Sequence, residues 1–231
     1  LWVCVSTFGQ CFDGFQIGSY HVVSIKSDGS LWGWGSSDFG QLSNTNLINP
    51  TPFQLSPAAD WTKATVSNYN TFIIKNNGTL WAMGDGRFGL LGNGTTTTIN
   101  PTLQQIGIAT NWQKISASTQ MTIGLKTDGT IWGWGQNDQY EMGNNTCCAN
   151  QLTPIQIGTA NHWVDIEGTS WGATVFALKN DGTIWGWGLN TGGLLADNTV
   201  MARSVPTQLN ADTDWASIHV GAAHILALKT N

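Results

Sequence analysis

Three features of the sequence predict an all-β chain: a β-propeller of about five four-stranded blades. A tryptophan-glycine phrase is written four times at near-fifty-residue intervals, an Asp-Gly or Asn-Gly turn precedes each copy, and apolar and polar residues alternate on both sides of that turn. The phrase reads KSDGSLWGWG at 26–35, KNNGTLWAMG at 75–84, KTDGTIWGWG at 126–135 and KNDGTIWGWG at 179–188. Its first tryptophans, Trp32, Trp81, Trp132 and Trp185, are 49, 51 and 53 residues apart. Upstream of each stands another aromatic residue that opens the unit: Phe12, Trp61, Trp112 and Trp163, with Trp215 opening a fifth copy. A period near fifty is too long for most helical solenoids and suits a propeller blade.

Within a unit, MTIGLK (121–126) alternates as a strand and leads into the turn. The turn glycines Gly29, Gly78, Gly129 and Gly182 are expected in type I′ hairpins, with positive φ at both central residues. The next strand, TIWGWG (130–135), places Thr130, Trp132 and Trp134 on one face and Ile131, Gly133 and Gly135 on the other. Rings on one side and bare backbone on the other let neighbouring sheets approach closely. The repeated tryptophans Trp32, Trp81, Trp132 and Trp185, with the openers Trp61, Trp112, Trp163 and Trp215, are therefore expected in the core. A loop follows, in which Gly40, Gly89 and Gly193 are expected to hold a backbone angle that other residues avoid. Copy three puts Tyr140 there, which predicts strain or a different loop. Pro52, Pro154 and Pro206 mark the last strand as an outer edge.

At the ends of the chain, Leu1-Trp2 repeats Leu31-Trp32, while the final HILALKTN stops just short of a turn glycine. The expectation is a single domain over 1–231, with blades opening near 12, 61, 112, 163 and 215. Residues 1–5 complete the last blade, and pairing of the N- and C-terminal strands closes the ring. The rival arrangement is five units cut from a longer ring.

Charged residues are only 10% of the chain, against roughly 25% in an average soluble domain. The net charge is −5, and the nine Lys and Arg are scattered singly, so nucleic-acid binding is not expected. No continuous apolar run is long enough for a membrane span. A signal peptide is expected to be absent or already removed, since Leu1 opens the chain without a basic leader. Cys4 and Cys11 could pair. Cys147 and Cys148 are adjacent, a spacing at which a disulfide is strained. No cofactor or metal site is expected, because His is scarce and no C-x-x-C occurs.

The segments SIHVGAAHILALKTN (217–231) and FQIGSYHVVSIKSDG (15–29) resemble the signature of the regulator of chromosome condensation repeat family. LWGWGSSDFGQL (31–42) resembles its companion tryptophan-glycine loop, and the variant is most similar to bacterial and bacteriophage forms. The resemblance implies a β-propeller, usually seven-bladed. It also implies a range of roles, from a nucleotide exchange factor that binds nucleosomes to a secreted β-lactamase inhibitor. The exchange factor's protruding wedge and the basic tails for chromatin have no counterpart here.

Catalytic residues are not apparent: no nucleophile-elbow, zincin or phosphate-loop motif occurs, and DGRFGLLGNG (85–94) lacks the Lys and the following helix of a phosphate loop. His21 and His224 occupy equivalent positions at which other copies carry Asn70, Met121 and Thr174, which is not a ligand set. Asp165/Glu167 and Asp212/Asp214 are expected as solvated rim acids. Departures from the repeat are better candidates for function. Trp171, in an insertion of copy four, and Tyr69 and Tyr20, at the matching loops of copies two and one, are expected to form an aromatic interaction patch. NNTCCANQ (144–151) is the longest polar loop and is expected to project.

These residues predict a non-enzymatic protein-binding or structural module in an exposed setting: secreted, on a cell surface or on a virion, with a cytoplasmic location as the alternative. A larger assembly is compatible with it. The alternatives in function are a lectin-like propeller that binds a surface glycan between blades, and a hydrolase- or lyase-type enzyme with a site at the central channel.

Overall fold

A computed structural model describes residues 3–5, 10–12, 14–43, 46–171 and 173–230. The chain divides into two compact units, residues 1–86 with 97–110, and residues 87–96 with 111–231.

The first unit begins with a hairpin of β1 (Val3–Val5) and β2 (Gln10–Phe12). A four-stranded antiparallel sheet follows, β3 (Gln16–Ile17), β4 (His21–Ile25), β5 (Leu31–Ser36) and β6 (Ile48–Gln54), hydrogen-bonded in that order. The second sheet is β7 (Trp61–Val66), β8 (Asn70–Lys75), β9 (Leu80–Gly84) and β10 (Asn100–Gln105), likewise sequential. In the second unit, β11 (Trp112–Ala117), β12 (Met121–Lys126), β13 (Ile131–Gly135) and β14 (Gln151–Gln156) form the third sheet. β15 (Trp163–Gly168), β16 (Thr174–Lys179), β17 (Ile184–Gly188) and β18 (Arg203–Gln208) form the fourth. β19 (Trp215–Val220) and β20 (Ile225–Lys229) end the chain as a two-stranded sheet. Pro52, Pro154 and Pro206 lie in β6, β14 and β18, the outermost strands, where a missing N–H breaks no ladder.

Val3–Val5 pairs with Gln10–Phe12, and Leu1 and Trp2, among the residues expected to complete the last sheet, lie outside the described residues. Among the described residues four sheets have four strands each, and β19–β20 has two. Phe12 is the last residue of β2.

One expectation needs correction: the hairpin turns are not type I′. In each copy the turn glycine donates to the lysine carbonyl three residues back, and that lysine N–H donates to the Ser or Thr carbonyl beyond the turn (Gly129 to Lys126, 2.9 Å; Lys126 to Thr130, 3.0 Å). The loop therefore holds three residues, and only the glycine has positive φ, between 75° and 79° at Gly29, Gly78, Gly129 and Gly182. The Asp or Asn before it stays in the ordinary region because its side chain is engaged locally. Its Oδ1 accepts the N–H and hydroxyl of Ser30, Thr79, Thr130 or Thr183. The first tryptophan of the phrase then donates its Nε1–H to that hydroxyl at 2.8–3.0 Å.

The core lies between consecutive sheets. In the first unit Val23, Leu31, Leu42 and Leu55 of one sheet meet Trp61, Ile73 and Met83 of the next. In the second unit Ile123, Leu125 and Ile131 meet Trp163, Ile166, Val175 and Trp187, and Phe176, Leu178 and Ile184 meet Ile218 and Trp215. The eight expected core tryptophans divide by position. Trp61, Trp112 and Trp163 are buried, whereas Trp32, Trp81, Trp132, Trp185 and Trp215 are half-buried. The half-buried rings of the phrase stand edge-on to the openers, 5.9 Å between Trp61 and Trp81 and 5.8 Å between Trp163 and Trp185. The lysine before the turn caps them: Lys126 Nζ is 3.6 Å from the Trp132 ring centroid and Lys179 Nζ 3.6 Å from that of Trp185. Fully buried instead are the second tryptophans of the phrase, Trp134 and Trp187, which donate to the loop carbonyls of Leu90 (2.9 Å) and Glu141 (2.8 Å).

The loops after the phrase behave as read. Gly40, Gly89 and Gly193 have φ of 82°, 81° and 74°, and Tyr140 is forced to 64° in the same place. The next residue, Glu141, is buried with Oε2 accepting from the Gln139 N–H at 2.8 Å. Burial pushes its carboxyl up to about 7; its own and the Gln139 N–H oppose that rise, and Asp138 adds to it. Because the folded value lies above the ordinary 4.5, this group's stabilising contribution is complete below 4.5 and is lost as pH rises through about 7. Glu141→Gln is expected to abolish that slope. Gln41 makes the same bond in the equivalent loop, accepting from the Phe39 N–H at 2.9 Å, but its buried Nε2 has no partner. The gain in stability above neutrality is therefore expected to fall short of the roughly 3 kcal/mol that the shift alone implies. Urea melts of both proteins across that pH range are the check, and parallel curves would refute it.

Candidate functional site

The loops joining the first and second strands of each sheet carry the departures from the repeat. In the first unit, loop 18–20 and loop 67–69 lie side by side, and the Ser19 hydroxyl donates to Asn68 Oδ1 at 2.7 Å. This places Tyr20 and Tyr69 face to face, with centroids 5.5 Å apart and planes 6° from parallel. Phe39, from the loop after the phrase, leans on Tyr69 at 4.5 Å and 44°. Tyr20 is 55% exposed, and Tyr69 and Phe39 are half-buried. Of the three residues expected to form a patch, Tyr20 and Tyr69 are in contact, and Phe39 joins them as an addition. Its ring was visible in the sequence as part of the tryptophan-glycine loop, where it reads as scaffold.

The platform rests on a buried polar base. The buried His21 ring meets Thr71 Oγ1 through Nε2 at 3.0 Å, and Thr71 in turn donates to the Gln41 carbonyl at 2.7 Å. With the single Thr71 proton committed, His21 must donate from Nε2. Burial holds its imidazole down at about 4, so it is neutral and structural, as the unlike residues at this position suggested.

Trp171 belongs to the second unit and is 79% exposed. Its loop is held by Ser170, whose carbonyl accepts from the Thr119 N–H and hydroxyl, both at 3.4 Å.

The acidic pairs are not freely solvated rim groups. Asp165 and Glu167 both hold Lys114 Nζ, at 2.5 and 2.8 Å, across two sheets of the second unit. Burial works against the Lys114 charge, but these two carboxylates more than offset it and raise its pKa. Asp212 and Asp214, just before β19, hold Lys229 Nζ of the paired strand β20, each at 3.0 Å, with Asp212 exposed. The first pair therefore fastens two sheets and the second ties the lead-in of β19 to β20. DGRFGLLGNG contributes one 3-10 turn, Arg87–Gly89, and no helix.

Two cysteine expectations resolve differently. Cys4 and Cys11 are directly opposite in the β1–β2 register. Cys147 and Cys148 are joined as a disulfide, against the expectation from strain, at a point where Cys148 takes a left-handed φ of 70°. Their loop does not project freely: the Asn145 N–H donates to the Ser204 carbonyl (2.8 Å) and the Ser204 hydroxyl to Asn145 Oδ1 (2.7 Å). Among the described residues, no three His, Cys, Asp or Glu side chains converge to hold a metal, and no helix is long and apolar enough to cross a membrane.

Successive four-stranded antiparallel sheets with their cores between them, all connected on one repeating pattern, define a β-propeller. More particularly, the chain belongs to the regulator of chromosome condensation (RCC1) repeat family, whose models match residues 15–41 and 112–141, and 128–173 and 181–228. Among curated proteins it is similar to the ultraviolet-B receptor UVR8 of Arabidopsis thaliana, 24% identical over 234 aligned positions, 94% of this chain and 51% of that one. It is also similar to the human probable E3 ubiquitin-protein ligase HERC6, 29% identical over 97 positions, 42% of this chain and 9% of that one. Yeast RCC1 (Prp20), solved bound to Kap60, superposes with a TM-score of 0.82 at 16% identity, over 96% of this chain and 55% of Prp20. Human WBSCR16 gives 0.81 at 16% identity, over 97% and 59%. The chain thus spans about half the length of UVR8 and a small part of HERC6.

Proposed function

We propose that the chain is a non-enzymatic protein-interaction propeller that engages its partner on the Tyr20–Tyr69–Phe39 platform. The stacked tyrosines carry this reading. Two adjacent repeats join to present flat, rigid aromatic surface with hydroxyls at its edge, the composition of an interface hot spot. An apolar or arginine side chain of a partner protein fits such faces. A protein partner also accords with Prp20, whose structures concern Kap60 and binding to Gsp1p and histones. Trp171 supplies a separate exposed contact in the second unit.

The setting proposed is extracellular or surface-exposed, supported by a surface that relies on Thr, Asn, Ser and Gly with few charges. Fractionation of the source cells tests it, and recovery only with cytosolic markers would exclude it. Binding is tested by immobilising the chain, identifying retained proteins, and measuring affinity for each with Tyr20→Ala, Tyr69→Ala and Trp171→Ala. Loss of about tenfold or more on either tyrosine change is expected. Unaltered affinity in both would remove the platform from the interface, and retention of glycans rather than proteins would favour a lectin.

A further inference from the structure

The third sheet carries a feature that its neighbour builds without. In the loop from β13 to β14, Cys147 and Cys148 are joined to each other. The same loop of the fourth sheet lies 53 residues on, with Val200 and Met201 in their places. One clamp holds both loops. Asn137 donates from Nδ2 to the Thr146 carbonyl (3.0 Å) and accepts the Met142 N–H at Oδ1 (3.0 Å). Asn190 does the same for Thr199 (3.0 Å) and Leu195 (2.8 Å). Asn144 and Asp197 each accept the N–H and hydroxyl of the threonine two residues on, and Asn145 and Asn198 share a left-handed φ of 62° and 61°. Copy two carries Thr96 and Thr97 where the cysteines stand. The loop therefore forms without a disulfide.

Nor does this disulfide staple the chain. A cross-link stabilises chiefly by restricting the unfolded chain, and that gain grows with the number of residues enclosed. Here the sequence separation is one, so nothing is enclosed. The departure from the fourth sheet is confined to the tip. Cys148 takes a φ of 70° with its N–H on the Asn137 carbonyl at 2.7 Å, whereas Met201 has no positive φ and donates to Thr199 Oγ1 at 3.4 Å. Cys148 is exposed, Cys147 is half-buried, and residues 144–146 and 149–150 around them are exposed as well. What is left is an accessible two-electron couple whose state can change while the clamp beneath it stays in place.

We propose that Cys147–Cys148 is a thiol–disulfide exchange site for low-molecular-weight thiols. A thiolate attacks Cys148 Sγ, the more exposed sulfur, and the bond between the two cysteines breaks with its electron pair leaving on Cys147 Sγ. A second thiolate then attacks the small thiol's sulfur in that mixed disulfide, forming the small-molecule disulfide and releasing Cys148 as a thiolate. Two thiols are thereby oxidised to one disulfide, the cysteine pair takes up their two electrons, and the protons that the thiols lost end on the two cysteines. A small disulfide runs the same steps backwards. Cys147 stands beside the mixed disulfide at high effective concentration, so the mixed form is short-lived. Opening the pair frees Cys148 to leave its left-handed φ and release the Asn137 carbonyl.

The experiment incubates the intact chain in glutathione buffers of graded reduced-to-oxidised ratio and then blocks free thiols with N-ethylmaleimide. The tryptic peptide 127–179 holds only these two cysteines, so its mass counts the blocked thiols. None is expected in oxidising buffer and two in reducing buffer. C147S is expected to accumulate one glutathione on Cys148 in oxidised glutathione, where the wild type accumulates none. C147V/C148M, which writes the fourth sheet's residues into the third, is expected to keep the wild-type urea midpoint in one oxidising buffer, with Cys4 and Cys11 unchanged. A pair that stays closed in excess reduced glutathione, or open in excess oxidised glutathione, would overturn the proposal. So would C147S that takes up no glutathione. A fall in the urea midpoint of C147V/C148M would also overturn it, by making the disulfide a part of the fold.

Discussion

Trp187→Ala is expected to be among the most damaging single substitutions in the second unit, costing about 3–5 kcal/mol from packing alone. The ring is fully buried among Met142, Ile157, Ile166 and Val175, between two sheets. Its Nε1–H is also the donor to the Glu141 carbonyl at 2.8 Å, so truncation leaves a cavity and an unpaired carbonyl together. The latter adds about 1–3 kcal/mol where water cannot reach it. Trp185→Ala, two residues earlier, is expected to cost clearly less, because that ring is already half-exposed and lined on one face by Lys179. Urea midpoints of the two variants decide the matter. Equal losses would mean that the two tryptophans of the phrase do not divide into an inner and an outer role.

The second large effect is expected at a turn glycine. Gly129 has φ of 77°, and a Cβ there would sit 2.1 Å from the Asn161 carbonyl oxygen, a backbone atom with nowhere to retreat. The Gly129 carbonyl also accepts the N–H of Trp163, the opener of the next sheet, at 3.2 Å. Gly129→Ala therefore strains the turn and pushes two sheets apart, for an expected loss of upwards of about 3 kcal/mol. Gly158→Ala is the control, with φ of 63° but open space around the site. It is expected to lose only the left-handed backbone cost of about 1 kcal/mol. Matching thermal shifts in the two variants would show that backbone angle alone, and not the inter-sheet approach, accounts for the glycine.

Much of this was readable in the residues because repetition amplifies weak local signals. One Asp-Gly pair is a modest hint, but four at a near-constant interval, each between alternating runs, fix strand, turn and strand together. The outer prolines and the left-handed loop glycines were legible for the same reason. Misread features were those in which a side chain competes with the backbone. Asp128 binds Thr130 and turns a presumed two-residue loop into three residues, although DGT, DGS and NGT were in plain view. For the candidate site, Tyr20 and Tyr69 stood out as departures from the pattern. Phe39 did not, since its place beside Tyr69 depends on how two successive sheets lie against each other.

The position of the core between sheets, rather than inside them, bears on how such a gene changes. A duplication or deletion of one period, made anywhere in the cycle, removes or adds one sheet together with one complete seam of contacts, and every remaining seam still joins the same two kinds of face. Length can therefore drift in whole repeats by recombination without a new core having to be invented. The residues under the tightest selection are then expected to be those that make successive copies interchangeable: the turn glycine, the buried second tryptophan and the lysine between the rings. The exposed loops touch across a seam only at their tips, as Ser19 does Asn68, and there copies are free to diverge into separate binding surfaces.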